Sequence, residues 1–253
     1  MKTLIVVPAR YESSRFPGKP LIQLTGVDGK KKPLIQRSWE AAIAVKNVDV
    51  IVATDDDRIR IVAEGFGAKV VMTSQKCVNG TERCADAIAN IDIKYDLIVN
   101  LQGDAPLSPA WFVQDLIDSF EDNLITDMAT PVLRCDPDTI LAFKDDRSVG
   151  RVGGTTAVFD HNNKALYFSK EVLPYSNKTD APIYHHVGIY AFTNKALIRY
   201  ISLERSKLEI ERKLEQLRAL ENKMTIDVGY IDACPLSVDT ESDLIAVKKL
   251  MER

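Results

Sequence analysis

The chain lacks any apolar run close to the roughly 20 residues that cross a bilayer, and its N-terminus enters a short β-branched stretch without the apolar core of a secretory signal. The expected compartment is the cytoplasm, with no membrane partner. Paired cysteines are missing as well. Cys77, Cys84, Cys135 and Cys234 are scattered and form no C-x-x-C pair. Zinc ligation needs tighter spacing and disulfides need an oxidising compartment, so all four are expected to be ordinary thiols. An excess of one charge is also absent. The formal net charge of −3 offers no general attraction to nucleic acid or to an anionic membrane, and no nucleic-acid partner is expected.

Two familiar phosphate motifs are missing too. Around Gly18-Lys19, Ser13 stands where a P-loop has its first glycine, and Pro20 stands where it has Ser or Thr. Gly65 and Gly67 lack the third glycine of a dinucleotide fingerprint, because Val70 occupies its place. Neither a Walker-type site nor a nicotinamide is indicated.

What is present is an ordinary globular composition, 45% hydrophobic and 27% charged, on a chain of 253 residues. That length suits one large α/β domain, or a large domain with a small lobe. Thr3-Leu4-Ile5-Val6-Val7 is a short Ile/Val-rich run, the pattern of a strand buried on both faces of a parallel sheet. The next thirteen residues, Pro8 to Pro20, contain three prolines and a glycine and cannot continue as strand or helix. They carry Arg10, Arg15 and Lys19, with Ser13 and Ser14. A basic loop at the carboxyl end of a first strand lies where open α/β sheets bind ligands. Three cations and turn amides there suit a polyphosphate; the competing reading is a solvated basic loop.

Further along, Thr25 to Pro33 reads as a solvent turn and Leu34 to Val45 as a helix. Val48 to Ala53 reads as a buried strand, and Asp55 to Asp57 either cap the helix Ile59 to Gly65 or bind metal. Ala68 to Met72 is a third strand, Gly80 to Ile88 a helix, and Leu97 to Leu101 a fourth strand running into Gln102-Gly103-Asp104. This alternation predicts stacked βαβ units. From Asp127 the texture changes. Met128 to Arg134, Gly154 to Phe159, Ala165 to Phe168 and Val187 to Phe192 read as strands of a mixed extension. Ser206 to Glu221 reads as one charged helix with Ile210, Leu214 and Leu217 at core or interface spacing. A strand from Thr225 to Ile231 and a helix from Glu241 close the chain.

Asp104, following a central strand, is either a turn former or a magnesium ligand beside phosphates. Asp239, before the last helix, is a cap or a second such carboxylate. His185 and His186 are two of only three histidines, and a strand-start histidine taken alone reads as a structural hydrogen-bonder.

The run Pro8-Ala9-Arg10-Tyr11, Ser13-Ser14-Arg15-Phe16-Pro17-Gly18-Lys19-Pro20 resembles the nucleotide-binding loop of the sugar-acid cytidylyltransferases. More narrowly, it is similar to the 3-deoxy-manno-octulosonate (Kdo) cytidylyltransferase, or CMP-Kdo synthetase, family. Gly80-Thr81-Glu82-Arg83, Gln102-Gly103-Asp104, Tyr167-Phe168-Ser169, His186-Val187-Gly188-Ile189-Tyr190, Leu214-Glu215-Gln216-Leu217-Arg218 and Val238-Asp239-Thr240 follow in the family's order. The resemblance implies a single α/β nucleotidyltransferase domain, with a mostly parallel Rossmann-like sheet and a mixed-sheet extension or small lobe. Its implied divisions are a nucleotide-binding half (1–126), a sugar-binding and dimerisation part (127–224), and a returning strand, metal loop and last helix (225–253).

The implied reaction joins CTP to Kdo or a close ulosonic acid, releasing pyrophosphate and a CMP-sugar for cell-surface polysaccharide or lipopolysaccharide. By the same resemblance Arg10, Lys19 and Asp104 are catalytic, and Asp104 and Asp239 hold Mg²⁺. Pro8, Ala9, Arg10, Ser13, Ser14, Arg15, Lys19, Gly80, Thr81, Arg83 and Gln102 take the nucleotide. Gln102, His186, Tyr190, Glu215 and Gln216 take the sugar acid, and a homodimer is expected. Three positions depart from the pattern: Ala105 replaces a usual Glu, Lys170 a usual Arg, and Thr155-Thr156 stand where a lysine is usual. They bear on which sugar acid is used, since polar mismatches discriminate substrates strongly. A different nonulosonic acid, or a non-catalytic binding relative, are the alternatives.

Overall fold

The structure, a computed structural model, describes residues 1–12, 16–122, 126–152, 154–176, 182–232, 238 and 241–251. It divides into two units, Met1–Ile117 with Pro235–Arg253, and Asp118–Cys234.

In the first unit, β1 (Thr3–Ala9) is buried at every position, as its unalternated apolar run requires. A hairpin of β2 (Gln23–Thr25) and β3 (Lys31–Pro33) flanks the lysine-rich turn. Then come α1 (Leu34–Ile43), β4 (Val48–Thr54), α2 (Asp57–Gly65), β5 (Val70–Met72), α3 (Gly80–Ala89) and β6 (Leu97–Asn100). The helix α4 (Ala110–Asp122) carries the chain onward. All three pairings in the order β5-β4-β1-β6 run parallel. The chain lays β4 and β5 on one side of β1 and then crosses to place β6 on the other. The carboxyl ends of β1 and β6 therefore form a topological switch point, the place where open α/β sheets take ligands.

The aspartate run resolves into three roles. Asp56 is extended and caps α2 by accepting from the Arg58 N–H at 2.9 Å. Asp57 lies inside the helix and pairs with Arg60. Asp55 caps nothing; its carboxylate accepts from Arg83 Nη2 at 2.9 Å. Only the residue immediately before the first helical position has the geometry to cap.

The second unit contains β7 (Met128–Arg134), α5 (Pro137–Ser148), β8 (Thr155–Phe159), β9 (Ala165–Ser169), β10 (Tyr184–His186), β11 (Tyr190–Thr193), α6 (Asn194–Ser202), α7 (Lys207–Arg212), α8 (Gln216–Glu221) and β12 (Ile226–Ile231). Antiparallel β10 and β11 follow each other along one edge of β7, and β12 lies parallel along the other. β8 pairs with β10 and β9, so the sheet is mixed. The chain then returns to the first unit with α9 (Glu241–Met251). There Val238 and Val247 pack with Leu24 and Leu34, and Phe16 and Leu107 cover the cluster.

Two expectations are corrected. The strand expected over Val187 to Phe192 is broken, with β10 beginning earlier and a bulge at Val187–Ile189 separating it from β11. The single helix expected over Ser206 to Glu221 is two, because Lys213 adopts a left-handed conformation at φ 54°. Leu214 and Leu217 are buried while Ile210 is exposed, so the expected stripe is not one face. α7 and α8 are joined instead by Glu209 and Arg218. The carboxylate accepts from Arg218 Nε at 2.8 Å and Nη2 at 2.7 Å, with side chains only 3% and 2% exposed. Arg218 also stacks over the Tyr200 ring at 4.4 Å. Removing one partner leaves a buried charge uncompensated. Glu209→Ala is therefore expected to lower unfolding stability by about 3–5 kcal/mol, measured by urea denaturation; a change within about 0.5 kcal/mol would show that this pair does not hold the helices.

Candidate active site

At the end of β1 the chain turns through Gly18, which sits at φ +73° and donates its N–H to the Tyr11 carbonyl at 2.9 Å. A Cβ at Gly18 would come within 3.2 Å of the Tyr11 ring, so glycine serves both the backbone conformation and the close packing. The Arg58 guanidinium lies over that ring at 3.3 Å from its centroid, and Arg58 is held by a fork of bonds to Asp56.

This turn delivers Lys19, whose Nζ donates to Asp104 Oδ2 at 2.6 Å and to the Val238 carbonyl at 2.5 Å. Val238 in turn donates its N–H to the Asp104 carbonyl at 2.9 Å. Three segments far apart in sequence thus meet at one ammonium. The Asp104 turn is fixed from below: Gly103 N–H reaches the Pro8 carbonyl at 3.2 Å, and the Ser38 hydroxyl of α1 donates to the Gly103 carbonyl at 3.0 Å. A Cβ at Gly103 would meet the Pro8 oxygen at 2.6 Å, so only glycine allows β6 to end this close to β1.

A pocket opens at the switch point. Pro8, Ala9, Arg10, Lys19 and Pro20 line it from the β1 side, and Gln102, Gly103 and Asp104 from the β6 side. Cys77, Val78, Asn79, Gly80 and Arg83 close it from the start of α3. Of the residues expected at the nucleotide, Pro8, Ala9, Arg10, Lys19, Gly80, Arg83 and Gln102 come together here. Thr81 lies just beneath, where its hydroxyl accepts from Asn100 Nδ2 at 3.3 Å, and Asn100 Oδ1 accepts from Gln102 Nε2 at 3.2 Å. Arg83 is buried and committed to Asp55 and to the Thr73 hydroxyl. It shapes the wall as a neutralised pair. Ser13, Ser14, Arg15 and Asp239 lie outside the described residues. The sequence reading missed Asn79, which caps α3 by accepting from the Glu82 N–H at 2.8 Å. Its signal was available, since Asn followed three residues later by Glu opens a helix.

The donor set fits a magnesium ion shared with phosphates. Asp104 is a quarter exposed on the pocket wall, and its carboxylate is held by Lys19 alone among the described residues. No group of three carboxylate, imidazole or thiolate ligands occurs among the described residues. Mg²⁺ is commonly held by one or two carboxylates, with waters and substrate phosphates completing the shell.

The residues expected at the sugar acid, Gln102 excepted, form a cluster within the second unit. Tyr190 is buried and donates its hydroxyl to Gln216 Oε1 at 3.2 Å. Gln216 Nε2 is buried without a partner among the described residues. Glu215 immediately precedes α8, and His186 hydrogen-bonds to Thr130 at 2.9 Å. Burial raises the Tyr190 hydroxyl well above the ordinary 10, with Glu215 adding to the shift. Desolvation pulls His186 down to about 3, with a smaller contribution from His185. It also pulls His185 down to about 4, with Arg147 adding to it. Of the departures, Thr156 is fully buried and donates to the Glu171 carbonyl at 2.7 Å while accepting from Leu173 N–H at 3.2 Å. Its hydroxyl is spent on the backbone that follows β9. Ala105 is buried, and the Lys170 carbonyl accepts from Arg147.

A mixed α/β fold with Arg10, Lys19 and Asp104 gathered in a pocket at its switch point is the architecture of a nucleotidyltransferase. The chain belongs to the cytidylyltransferase family, whose profile, described as "Cytidylyltransferase", matches residues 4–226. A 3-deoxy-manno-octulosonate cytidylyltransferase of Maricaulis maris is 40% identical, with 99% of this chain and 97% of that protein covered. An 8-amino-3,8-dideoxy-manno-octulosonate cytidylyltransferase of Shewanella baltica is 42% identical, covering 96% of each. Among solved structures, a CMP:2-keto-3-deoxy-manno-octonic acid synthetase complexed with CTP superimposes with a TM-score of 0.88 at 34% identity, covering 99% of this chain and 98% of that one.

The two neutral histidines generate a pH dependence. Their pKa values fall from an ordinary 6.5 to about 4 and about 3 on folding, so between those limits the unfolded chain binds more protons than the folded one. Stability then rises with pH across that window and is lost as pH drops below 6.5. Denaturant unfolding from pH 7 to 4 is expected to show a falling stability whose slope is reduced in His185→Gln. An identical slope in that variant would contradict the assignment.

Proposed function

We propose that this cytidylyltransferase couples CTP to Kdo or its 8-amino relative in a Mg²⁺-dependent reaction. The products are pyrophosphate and a CMP-sugar for cell-surface polysaccharide or lipopolysaccharide. The observation that carries the reading is the Lys19 ammonium, bound to both Asp104 and the Val238 carbonyl at the edge of the switch-point pocket. The named relatives supply the substrate class.

In this reading the anomeric hydroxyl of the sugar acid attacks the α-phosphorus, and the bond to the β-phosphate oxygen breaks. Such a transfer needs positioning and charge neutralisation more than a protein nucleophile. Arg10 and Lys19 neutralise the triphosphate and the departing pyrophosphate, with Ser13, Ser14 and Arg15 assisting. Gly80, Thr81, Arg83 and Gln102 shape the wall around the cytidine. Asp104, with Asp239 next to Val238 in the chain, would hold Mg²⁺. When bound, that ion withdraws charge from the α-phosphate and lowers the pKa of the attacking hydroxyl. Tyr190, Glu215, Gln216 and His186 take the sugar acid, where Gln216 Nε2 offers a donor to one of its oxygens. Homodimer assembly belongs to the same reading and is checked by sedimentation velocity, with a concentration-independent monomer as the contrary result.

Pyrophosphate release, assayed with all four nucleoside triphosphates and a panel of sugar acids, is expected with CTP and an octulosonic acid in the presence of Mg²⁺. Release with none of the acids, despite CTP binding, would instead favour a non-catalytic binder. Asp104→Asn is expected to lower kcat/KM about a thousandfold with circular dichroism unchanged. Near-normal turnover in that variant would remove Asp104 from the metal site.

A further inference from the structure

The Thr130 hydroxyl, on β7, faces three polar neighbours. They are the Ile189 carbonyl at 2.8 Å, His186 Nε2 at 2.9 Å and the Val187 carbonyl at 3.2 Å. Both carbonyls belong to the bulge between β10 and β11, where a tight turn bonds Ile189 N–H to the Val187 carbonyl at 2.8 Å. Thr130 is fully buried and His186 nearly so, at 6% exposure. Water is therefore a poor substitute for any bond left unmade.

A hydroxyl carries one proton, and a carbonyl oxygen can only accept. The nearer carbonyl takes that proton. Of the two remaining neighbours, the Val187 carbonyl takes its hydrogen from Ile189 N–H, so Nε2 must be the donor and the threonine oxygen its acceptor. With the roles reversed, the hydroxyl proton would go to the ring, and the Ile189 carbonyl would face a lone pair at 2.8 Å with no hydrogen between them, a costly arrangement. The imidazole is uncharged at neutral pH because desolvation pulls its pKa down to about 3. A neutral ring with its proton on Nε2 has a bare nitrogen at Nδ1. Phe168 at 4.8 Å and Tyr190 at 5.6 Å, between ring centroids, brace the ring in this pose.

We propose that Thr130 is a positioning residue that locks His186 in its Nε2–H form. Nδ1 is then a fixed acceptor that takes a hydrogen-bond donor of the substrate, a sugar hydroxyl or the ammonium of an amino sugar, rather than its carboxylate. The ligand half of this statement rests on the function proposed above; the tautomer half does not. It gives the second unit a polarity: a donor of the sugar acid faces His186, and an acceptor faces Gln216 Nε2.

The test begins with the unaltered protein carrying ¹⁵N-histidine. Multiple-bond ¹H–¹⁵N correlation is expected to give His186 a protonated, pyrrole-type Nε2 and a pyridine-type Nδ1; the reverse pattern, or exchange-averaged nitrogens, overturns the proposal. In Thr130→Val the two nitrogens are expected to average, with the KM for the sugar acid raised about tenfold and the KM for CTP unchanged. Thr130→Ser, which keeps the hydroxyl, is expected to restore both readouts, and does so even where valine perturbs folding. A wild-type tautomer pattern in Thr130→Val, or an unchanged sugar-acid KM, contradicts the proposal while cytidylyl transfer stands. Failure of the underlying function would appear separately, as no pyrophosphate release by the unaltered enzyme with any sugar acid.

Discussion

One ammonium group ties the first unit together. Lys19 leaves the N-terminal turn, binds the Asp104 carboxylate and caps the Val238 carbonyl, so residues 85 and 219 positions apart in sequence share one donor. A partly buried lysine is expensive unless its protons are satisfied, and here a carboxylate and a carbonyl satisfy it. The consequence is chemical as well as structural. In the proposed function the cation that secures the turn also serves the triphosphate, and the carboxylate that neutralises it would hold the metal. On that proposal, a ligand bringing phosphate and magnesium would offer Lys19 a new anion and Asp104 a new cation.

Around that node, glycines and capping residues set distances rather than chemistry. Gly103 lets the end of β6 touch β1, Gly18 lets the turn close beneath Tyr11, and Gly80 lets α3 begin against Gln102 and Asn100. At Gly80 a Cβ would approach those carboxamides to 2.9–3.1 Å. The second unit solves a different problem, keeping polar side chains buried and uncharged. His186, Tyr190 and Gln216 are each held by a neutral hydrogen bond, which orients them without leaving a charge in an apolar setting.

Much of the first unit was legible from sequence because its signals are local. Ile/Val runs without alternation mark β1 and β6, and the proline- and glycine-rich stretch after β1 excludes regular structure. The switch point follows once the strands are ordered. The second unit was less legible. α4, α5 and α6 were not anticipated. Yet α5 opens with Asp136 as cap followed by Pro137 in its first turn, a start signal its weakly amphipathic body obscured. The break at Lys213 has no sequence marker, because lysine is not a residue type that favours positive φ. In the site, Arg10, Lys19, Gly80, Gln102 and Asp104 line one pocket. The commitment of Arg83 to Asp55, the Thr81–Asn100–Gln102 chain and the Thr130 contact depend on pairings 28, 19 and 56 residues apart, which no local pattern encodes.

The central claim is that Lys19 and Asp104 act as one unit at the triphosphate. A double-mutant cycle on CTP affinity tests it directly, using Lys19→Met, Asp104→Asn and the double variant titrated calorimetrically with CTP and Mg²⁺. The account predicts strong non-additivity, with a coupling above about 1 kcal/mol. Additive losses, within about 0.5 kcal/mol, would mean that the two side chains serve the nucleotide independently and that the node does not organise the site.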